Sequence, residues 1–221
     1  MITNRVLLVD DHPITREGMR FLLETEGDIE VVEVAGSVQE ALDKTARARP
    51  NVVISDLSMK GRNGLELIKD LKVLHPDVKV IIVSMHDEML YGERVLRAGG
   101  WGYIMKEDAA DHLIGAIRKV SEGKNYLSPE LSDHLLKRLG PGSDGIGGSE
   151  SMLMQLTDRE MEVFELTGQG KEVHQIAKSL QISGRTVEAH RTNARKKLGL
   201  PDANAFFRYA VRWVESGNLV P

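Results

Sequence analysis

Four short apolar runs punctuate the first half of the chain, and each leads into a polar residue able to do chemistry. Arg5-Val-Leu-Leu-Val9 runs into Asp10 and Asp11, and Asn51-Val-Val-Ile-Ser55 into Asp56. Val80-Ile-Ile-Val83 runs into Ser84, and Gly102-Tyr-Ile-Met105 into Lys106. Unbroken β-branched runs of this length suit strands buried on both faces, as in a parallel sheet. Residues 30–35, which alternate Val31, Val32, Val34 and Ala35 with acids, predict one further strand. Helical periods separate the five. Pro13 suits the first position of a helix. Ser37 with Glu40 has the spacing of a capping box, opening a helix to about Ala48. Asn63 caps a helix that turns Leu65, Ile68, Leu71 and Leu74 to the sheet. Residues 88–98 and 109–122 follow, the latter with Leu113, Ala116, Ile117 and Val120 inward. Ser128–Leu139 extends as a sixth, short helix. Strand and helix alternate five times, the pattern of a doubly wound α/β sheet. In such a sheet the strand carboxyl ends line one crevice, so the carboxylates, the hydroxyl and the ammonium meet at one edge.

The pattern then changes. Gly140–Ser149 holds five glycines and one proline with no apolar period, which reads as a flexible linker. Beyond it every period is helical. Thr157 with Glu160 forms a second capping box, and Leu156 and Met161 occupy the hydrophobic-staple positions. That helix stops near Gly168–Gly170. A short helix with Val173, Ile176, Ala177 and Leu180 inward is followed by the turn Gln181-Ile-Ser183. Ser183 caps a helix running to Leu198, where Gly199 ends it. Two short helices joined this way predict a helix-turn-helix. A last helix covers about residues 203–216, with Phe206, Phe207, Ala210, Val211 and Val214 as its apolar face, and Arg208, Arg212 and Glu215 outward as a dimer seam.

Composition narrows the classes. The chain has 221 residues, 28% charged and 41% hydrophobic, which fits two ordinary globular domains. It has no cysteine, which excludes disulfides, thiolate metal sites and a cysteine nucleophile. No apolar stretch approaches the ~20 residues of a membrane-spanning helix. The chain enters a strand at once, without a signal-peptide pattern. A cytoplasmic protein with no membrane contact is expected. The net charge of −4 hides an asymmetry: residues 1–139 carry 19 bases and 23 acids, whereas residues 153–221 carry 10 bases and 8 acids. Gly184–Leu198 holds Arg185, Arg191, Arg195, Lys196 and Lys197 against the single acid Glu188. A 100° wheel sets Val187, Ala194 and Leu198 on its packed side and Arg185, Ala189, Thr192, Asn193 and Lys196 opposite. That face suits base edges in a major groove, with the flanking bases on phosphates.

The succession Val9-Asp10-Asp11-His12-Pro13, Asp56-Leu-Ser-Met59 with Gly64, Val83-Ser84 and Gly102-Tyr-Ile-Met-Lys106 resembles the receiver domain of a two-component response regulator over residues 4–124. The resemblance implies a flavodoxin-like, five-stranded parallel sheet. It implies Asp56 as phosphoacceptor from a sensor histidine kinase, and Mg2+ on Asp11, Asp56 and the Ser58 carbonyl, with Asp10 acting through bound water. Lys106 and Ser84 would take phosphoryl oxygens, and Tyr103 would be the switch aromatic. Lys60, Trp101 and His86 depart from or vary on the family pattern. Trp101 serves partner contact or packing, and His86 is a solvent-exposed side chain or tunes hydrolysis. Residues 153–216 resemble a LuxR-type DNA-binding domain, an all-α four-helix module. Its residues toward double-stranded DNA would be Arg185, Glu188, Ala189, Arg191, Thr192, Asn193, Arg195 and Lys196. Arg191 falls toward the packed side, with its head group snorkelling outward, and Glu188 stands where a base is common. The whole resembles a NarL/FixJ-type response regulator, with residues 1–124, 125–152 and 153–221 as receiver, linker and DNA-binding domain. It would dimerise when phosphorylated and would not be a turnover enzyme, although the aspartyl phosphate could be lost by autodephosphorylation.

Two rivals remain at this point. A haloacid-dehalogenase-like phosphohydrolase also uses an aspartate nucleophile with Mg2+, but it needs a second aspartate two residues after the first, where this chain has His12. A regulator acting by protein contact would keep the helix-turn-helix without holding DNA.

Overall fold

A computed structural model describes residues 4–139 and 152–216. The glycine-rich run read as a linker lies outside the described residues. The chain divides into two compact units, Met1–Lys137 and Arg138–Pro221.

The first unit is a five-stranded sheet in the order β2-β1-β3-β4-β5. The strands are β1 (Asn4–Val9), β2 (Ile29–Ala35), β3 (Val52–Ser55), β4 (Lys79–Ser84) and β5 (Gly102–Met105), and every pairing is parallel. Five helices connect and flank them: α1 (Pro13–Glu24), α2 (Val38–Ala48), α3 (Gly64–Leu74), α4 (Glu88–Ala98) and α5 (Ala109–Ser121). Val6, Leu8, Val52, Ile54, Ile81 and Val83 are buried against Leu113, Ala116, Ile117 and Val120 of α5, as the periods predict. The strand order reverses at β1, which has β2 on one side and β3 on the other. Such a switch point opens a crevice at the strand carboxyl ends.

Local signals explain the helix starts. Asn63 and Glu66 form a reciprocal capping box at α3. Ser37 accepts from the Glu40 amide, but Glu40 reaches back to the Gly36 N–H (2.7 Å) instead of closing the box on Ser37. Leu74, read as facing the sheet, is exposed at the last residue of α3, as is Val73 beside it, whereas Leu67 is buried. A sixth helix, α6 (Pro129–Leu139), belongs to the first unit as far as Lys137. Leu131 is fully buried and seats where a Cβ on Gly92 of α4 would stand. Ser128 donates to Glu88 at 2.6 Å and accepts from the Leu131 amide.

The second unit holds four described helices: α7 (Asp158–Gly168), α8 (Val173–Leu180), α9 (Gly184–Lys197) and α10 (Ala203–Glu215). The Thr157–Glu160 capping box is complete, and Leu156 and Met161 are both buried, as a staple requires. Gln181 takes a left-handed φ of 54° that turns the chain from α8 into α9. Val163, Ile176, Leu180 and Val187 form one buried cluster. Phe164 collects Phe206, Tyr209 and Trp213 around its ring in another. Phe207, read as part of the apolar face of α10, is 47% exposed, and Trp213 fills the core instead.

Gly168 ends α7 where a Cβ would strike the Ala210 carbonyl and Val214 of α10. Ala has the better helix propensity by about 1 kcal/mol, but the neighbouring backbone cannot give way. Gly168→Ala is therefore expected to lower the stability of the helical unit by about 1–3 kcal/mol. Denaturant unfolding followed by Trp213 fluorescence in a Trp101→Phe background measures this, and a gain in stability would contradict the packing argument.

Candidate functional site

The strand ends deliver their polar residues to one place. Asp10 ends β1 and is fully buried, Asp56 ends β3 and is 4% exposed, and Lys106 ends β5. The Lys106 ammonium donates to Asp10 Oδ2 at 3.0 Å and to Asp56 Oδ2 at 2.8 Å. Asp10 Oδ1 accepts the His12 amide at 2.7 Å, whereas Asp56 Oδ1 takes a long 3.4 Å contact from the Ser58 amide. Asp11 lies alongside, with Oδ2 3.4 Å from the Lys60 amide. Oxygens of Asp10, Asp11 and Asp56 and a ring nitrogen of His12 all lie within 4.8 Å of one another. His12 is the member that the sequence reading missed. Its Nδ1 stands 3.0 Å from Asp11 Oδ1, yet a turn residue beside an acid pair has no periodicity to mark it.

Burial is the larger influence on Asp56 and pushes its carboxyl above the ordinary aspartate range. Lys106 opposes that shift and the neighbouring Asp10 adds to it. For Lys106, desolvation pulls the other way, but Asp56 and Asp10 together hold its pKa above that of a free lysine. Behind Asp56 the chain must turn closely into α3: a Cβ on Gly64 would meet the Asp56 carbonyl at 2.5 Å.

Ser84 is buried at the end of β4, and its hydroxyl accepts the His86 amide at 3.1 Å. Tyr103 is buried, and its hydroxyl donates to the His86 carbonyl at 2.7 Å. His86 is only partly exposed. Its Nε2 lies 2.6 Å from the Ser58 hydroxyl, and its ring packs on Tyr91 at 5.1 Å. Trp101 packs against the sheet core with the Lys79 ammonium 5.1 Å from its ring centre.

In the second unit, Arg185, Glu188, Ala189, Thr192, Asn193 and Lys196 are all exposed on α9, while Val187, Ala194 and Leu198 are buried. Arg191 and Arg195 are half-buried and committed within the unit. Arg191 Nε donates to Thr167 Oγ1 at 3.1 Å, so its head group turns inward instead of snorkelling out. Arg195 donates to the Pro201 carbonyl at 2.6 Å. Lys197 pairs with Glu160 at 2.6 Å. Among the described residues, Arg185 and Lys196 are the bases of α9 whose side chains make no hydrogen bond or ion pair. These long-range bonds leave no trace in a helical wheel.

An acidic crevice at a switch point, followed by a helix-turn-helix, is the layout of a signal-responsive regulator. Residues 6–118 match the response regulator receiver domain, and residues 154–210 match the bacterial regulatory proteins of the luxR family. The chain is 35% identical over 208 residues to the transcriptional regulatory protein MctR of Rhizobium johnstonii, covering 94% of this chain and 92% of that one. It is 34% identical over 211 residues to the oxygen regulatory protein NreC of Staphylococcus carnosus, covering 94% and 97%. A structure of the RcsB response regulator of Salmonella typhimurium matches with a TM-score of 0.71 at 28% identity, covering 96% of this chain and 98% of that one. RcsB from Salmonella enterica serovar Typhimurium, bound to promoter P1flhDC in the presence of phosphomimetic BeF3-, matches with a TM-score of 0.68 at 28% identity, covering 95% and 99%. The chain belongs to the response regulators that join a receiver domain to a luxR-family helix-turn-helix domain. Among the described residues no helix is long and apolar enough to cross a membrane.

The Glu160–Lys197 pair ties the end of α9 to α7. Burial would raise the Glu160 carboxyl, but Lys197 and the Thr157 amide and hydroxyl together hold it below the usual glutamate value. A depressed carboxylate stabilises the fold above its unfolded pKa, and that stability is lost as pH falls through the folded value. Below about pH 4.5, the unfolding midpoint of the wild-type helical unit should fall more steeply than that of Lys197→Met, and the two should converge in acid. Parallel curves for the two proteins between pH 7 and 3 would exclude the coupling.

Proposed function

We propose that this chain is a phosphorylation-controlled transcription factor of the cytoplasm. A sensor histidine kinase phosphorylates Asp56, and the change governs how the α9 face engages double-stranded DNA. The observation that carries this reading is the single ammonium of Lys106 bridging Asp10 and Asp56 at the β1/β3 switch point. A phosphohydrolase of the rival kind would have its nucleophile after the first strand and an acid at position 12. Here position 12 is histidine and Asp56 follows β3.

The donor set fits a hard cation, since three carboxylates converge and the nitrogen beside them, on His12, belongs to an exposed ring. We assign Mg2+ to Asp11, Asp56 and the Ser58 carbonyl, with Asp10 acting through water. When bound, it neutralises charge on the transferring phosphoryl group. An Asp56 oxygen attacks the phosphorus of phosphohistidine. The P–N bond breaks, its electrons return to the imidazole, and an aspartyl phosphate remains. The Lys106 ammonium follows the new charge and pairs with a phosphoryl oxygen. The Ser84 hydroxyl turns to another, letting go of the His86 amide. Tyr103, bonded to the carbonyl of that same residue, moves with it. Water attack on the aspartyl phosphate resets the site without making the protein a turnover enzyme. Residues 1–124 serve as the receiver and 153–221 as the reader of DNA, and residues 125–152, with a short helix and the glycine-rich run, serve as the linker. The change reaches the surface of α4, β5 and α5, and either releases the reader or pairs two copies as a homodimer. RcsB bound to promoter DNA with a phosphomimetic supports the DNA reading.

Full-length protein and Asp56→Ala, each assayed on a pool of genomic duplexes with and without acetyl phosphate and Mg2+, test this. Wild type should gain roughly tenfold in affinity, within the range of allosteric couplings, and Asp56→Ala should gain nothing. Affinity should fall steeply with added salt. Equal binding by both proteins under every condition would refute gating by the receiver. Absence of binding even at low salt would favour the protein-contact regulator.

A further inference from the structure

The exposed face of α9 carries one group that ordinary phosphate binding cannot use. Glu188 is 58% exposed at its side chain and sits among Arg185, Ala189 and Thr192, the residues turned away from the core. A carboxylate set toward a polyanion weakens binding to every sequence that offers it no donor. Glu188 is also held from behind. Its Oε1 lies 3.4 Å from a terminal nitrogen of Arg191. That guanidinium is anchored through Nε on Thr167 Oγ1 at 3.1 Å and through its other terminal nitrogen on the Lys171 carbonyl at 3.4 Å. Thr167 is fixed in turn, donating to the Val163 carbonyl at 2.6 Å. The cation that faces Glu188 is therefore tied to α7.

Given the DNA-binding reading above, on which this rests, we infer that Glu188 is a specificity-determining residue that selects cytosine at one base pair of each half-site. A carboxylate has acceptors only. In the major groove guanine offers O6 and N7 and thymine offers O4, all acceptors that repel it. Adenine offers an amino group, but beside the N7 acceptor. Cytosine offers its N4 amino group with no acceptor on the same base in that groove, so it alone meets a carboxylate without opposition. The neighbours at 189 and 192 supply methyl groups suited to thymine, and Asn193 has the fork that suits adenine, so the face is furnished for base edges.

The test is selection from a randomised duplex library with full-length wild type, Glu188→Gln and Glu188→Ala, each treated with acetyl phosphate and Mg2+. Wild type should enrich cytosine about tenfold at one position per half-site, the discrimination of a good direct contact. Glu188→Gln, which can donate as well as accept, should move that preference to adenine. Glu188→Ala should lose the preference and bind unrelated duplex more tightly. Identical selected sequences for all three proteins, or a wild-type preference for guanine or thymine there, would overturn the assignment while leaving DNA binding intact. No duplex retained by wild type at low salt would overturn the DNA reading and this assignment with it.

Discussion

Two carboxylates that would repel each other out of water are held together by one ammonium, and the receiver is organised around that fact. Asp10 and Asp56 are almost wholly buried, and Lys106 is the cation that reaches both. Bringing such charges out of water costs several kcal/mol per ion unless partners are placed to offset it. The parallel sheet places them: β1 and β3 are neighbours at the switch point, and β5 supplies the lysine from across β4. On the proposed reading, charge added at Asp56 would draw Lys106 off at least one carboxylate. The pocket is thus a balance between two pairings, which is what a switch needs.

His86 connects that balance to the surface. Its amide bonds to the Ser84 hydroxyl, its carbonyl to Tyr103 and its ring to Ser58, so the loops after β3 and β4 and the strand β5 share one residue. The ring also packs on Tyr91 of α4, whose neighbour Gly92 receives Leu131 of α6. A shift of Ser84 cannot leave His86 in place without breaking a hydrogen bond. Packed side chains and short bonds thus link the acid pocket to α6.

What could be read in advance follows from what each residue's role depends on. Asp10, Asp56, Ser84 and Lys106 were legible because each ends a β-branched run, and parallel topology sends all such ends to one edge. Asn63, Thr157 and Ser183 were legible because a cap is a local contract between residues three apart. Leu74 and Phe207 were misread because a helical period gives a face but not where the opposing layer stops. His12, the Glu40 bond to Gly36 and the Arg191 bond to Thr167 had no signal in the pattern. The first two sit in turns, and the last joins residues 24 apart, brought close by the packing of α7 on α9.

The helix-turn-helix spends its charge inward. Lys197, Arg195 and Arg191 hold α9 to α7 and to the turn before α10, which fixes the angle at which the reading face is presented. On the DNA-binding reading proposed above, Arg185 and Lys196 are the bases of that helix left to meet a nucleic acid, and Glu188 subtracts from them. Each phosphate contact contributes to affinity through released counterions, so a reader with few such contacts holds DNA weakly on its own at moderate salt. Joining two copies adds their contacts and makes the second encounter intramolecular, which can raise avidity by 10²–10⁴ without a new bond. A weakly charged reader is in this sense the right partner for a switch. On the proposed reading its occupancy would respond to a change in pairing, whereas a strongly basic one would stay on DNA whatever the state of Asp56.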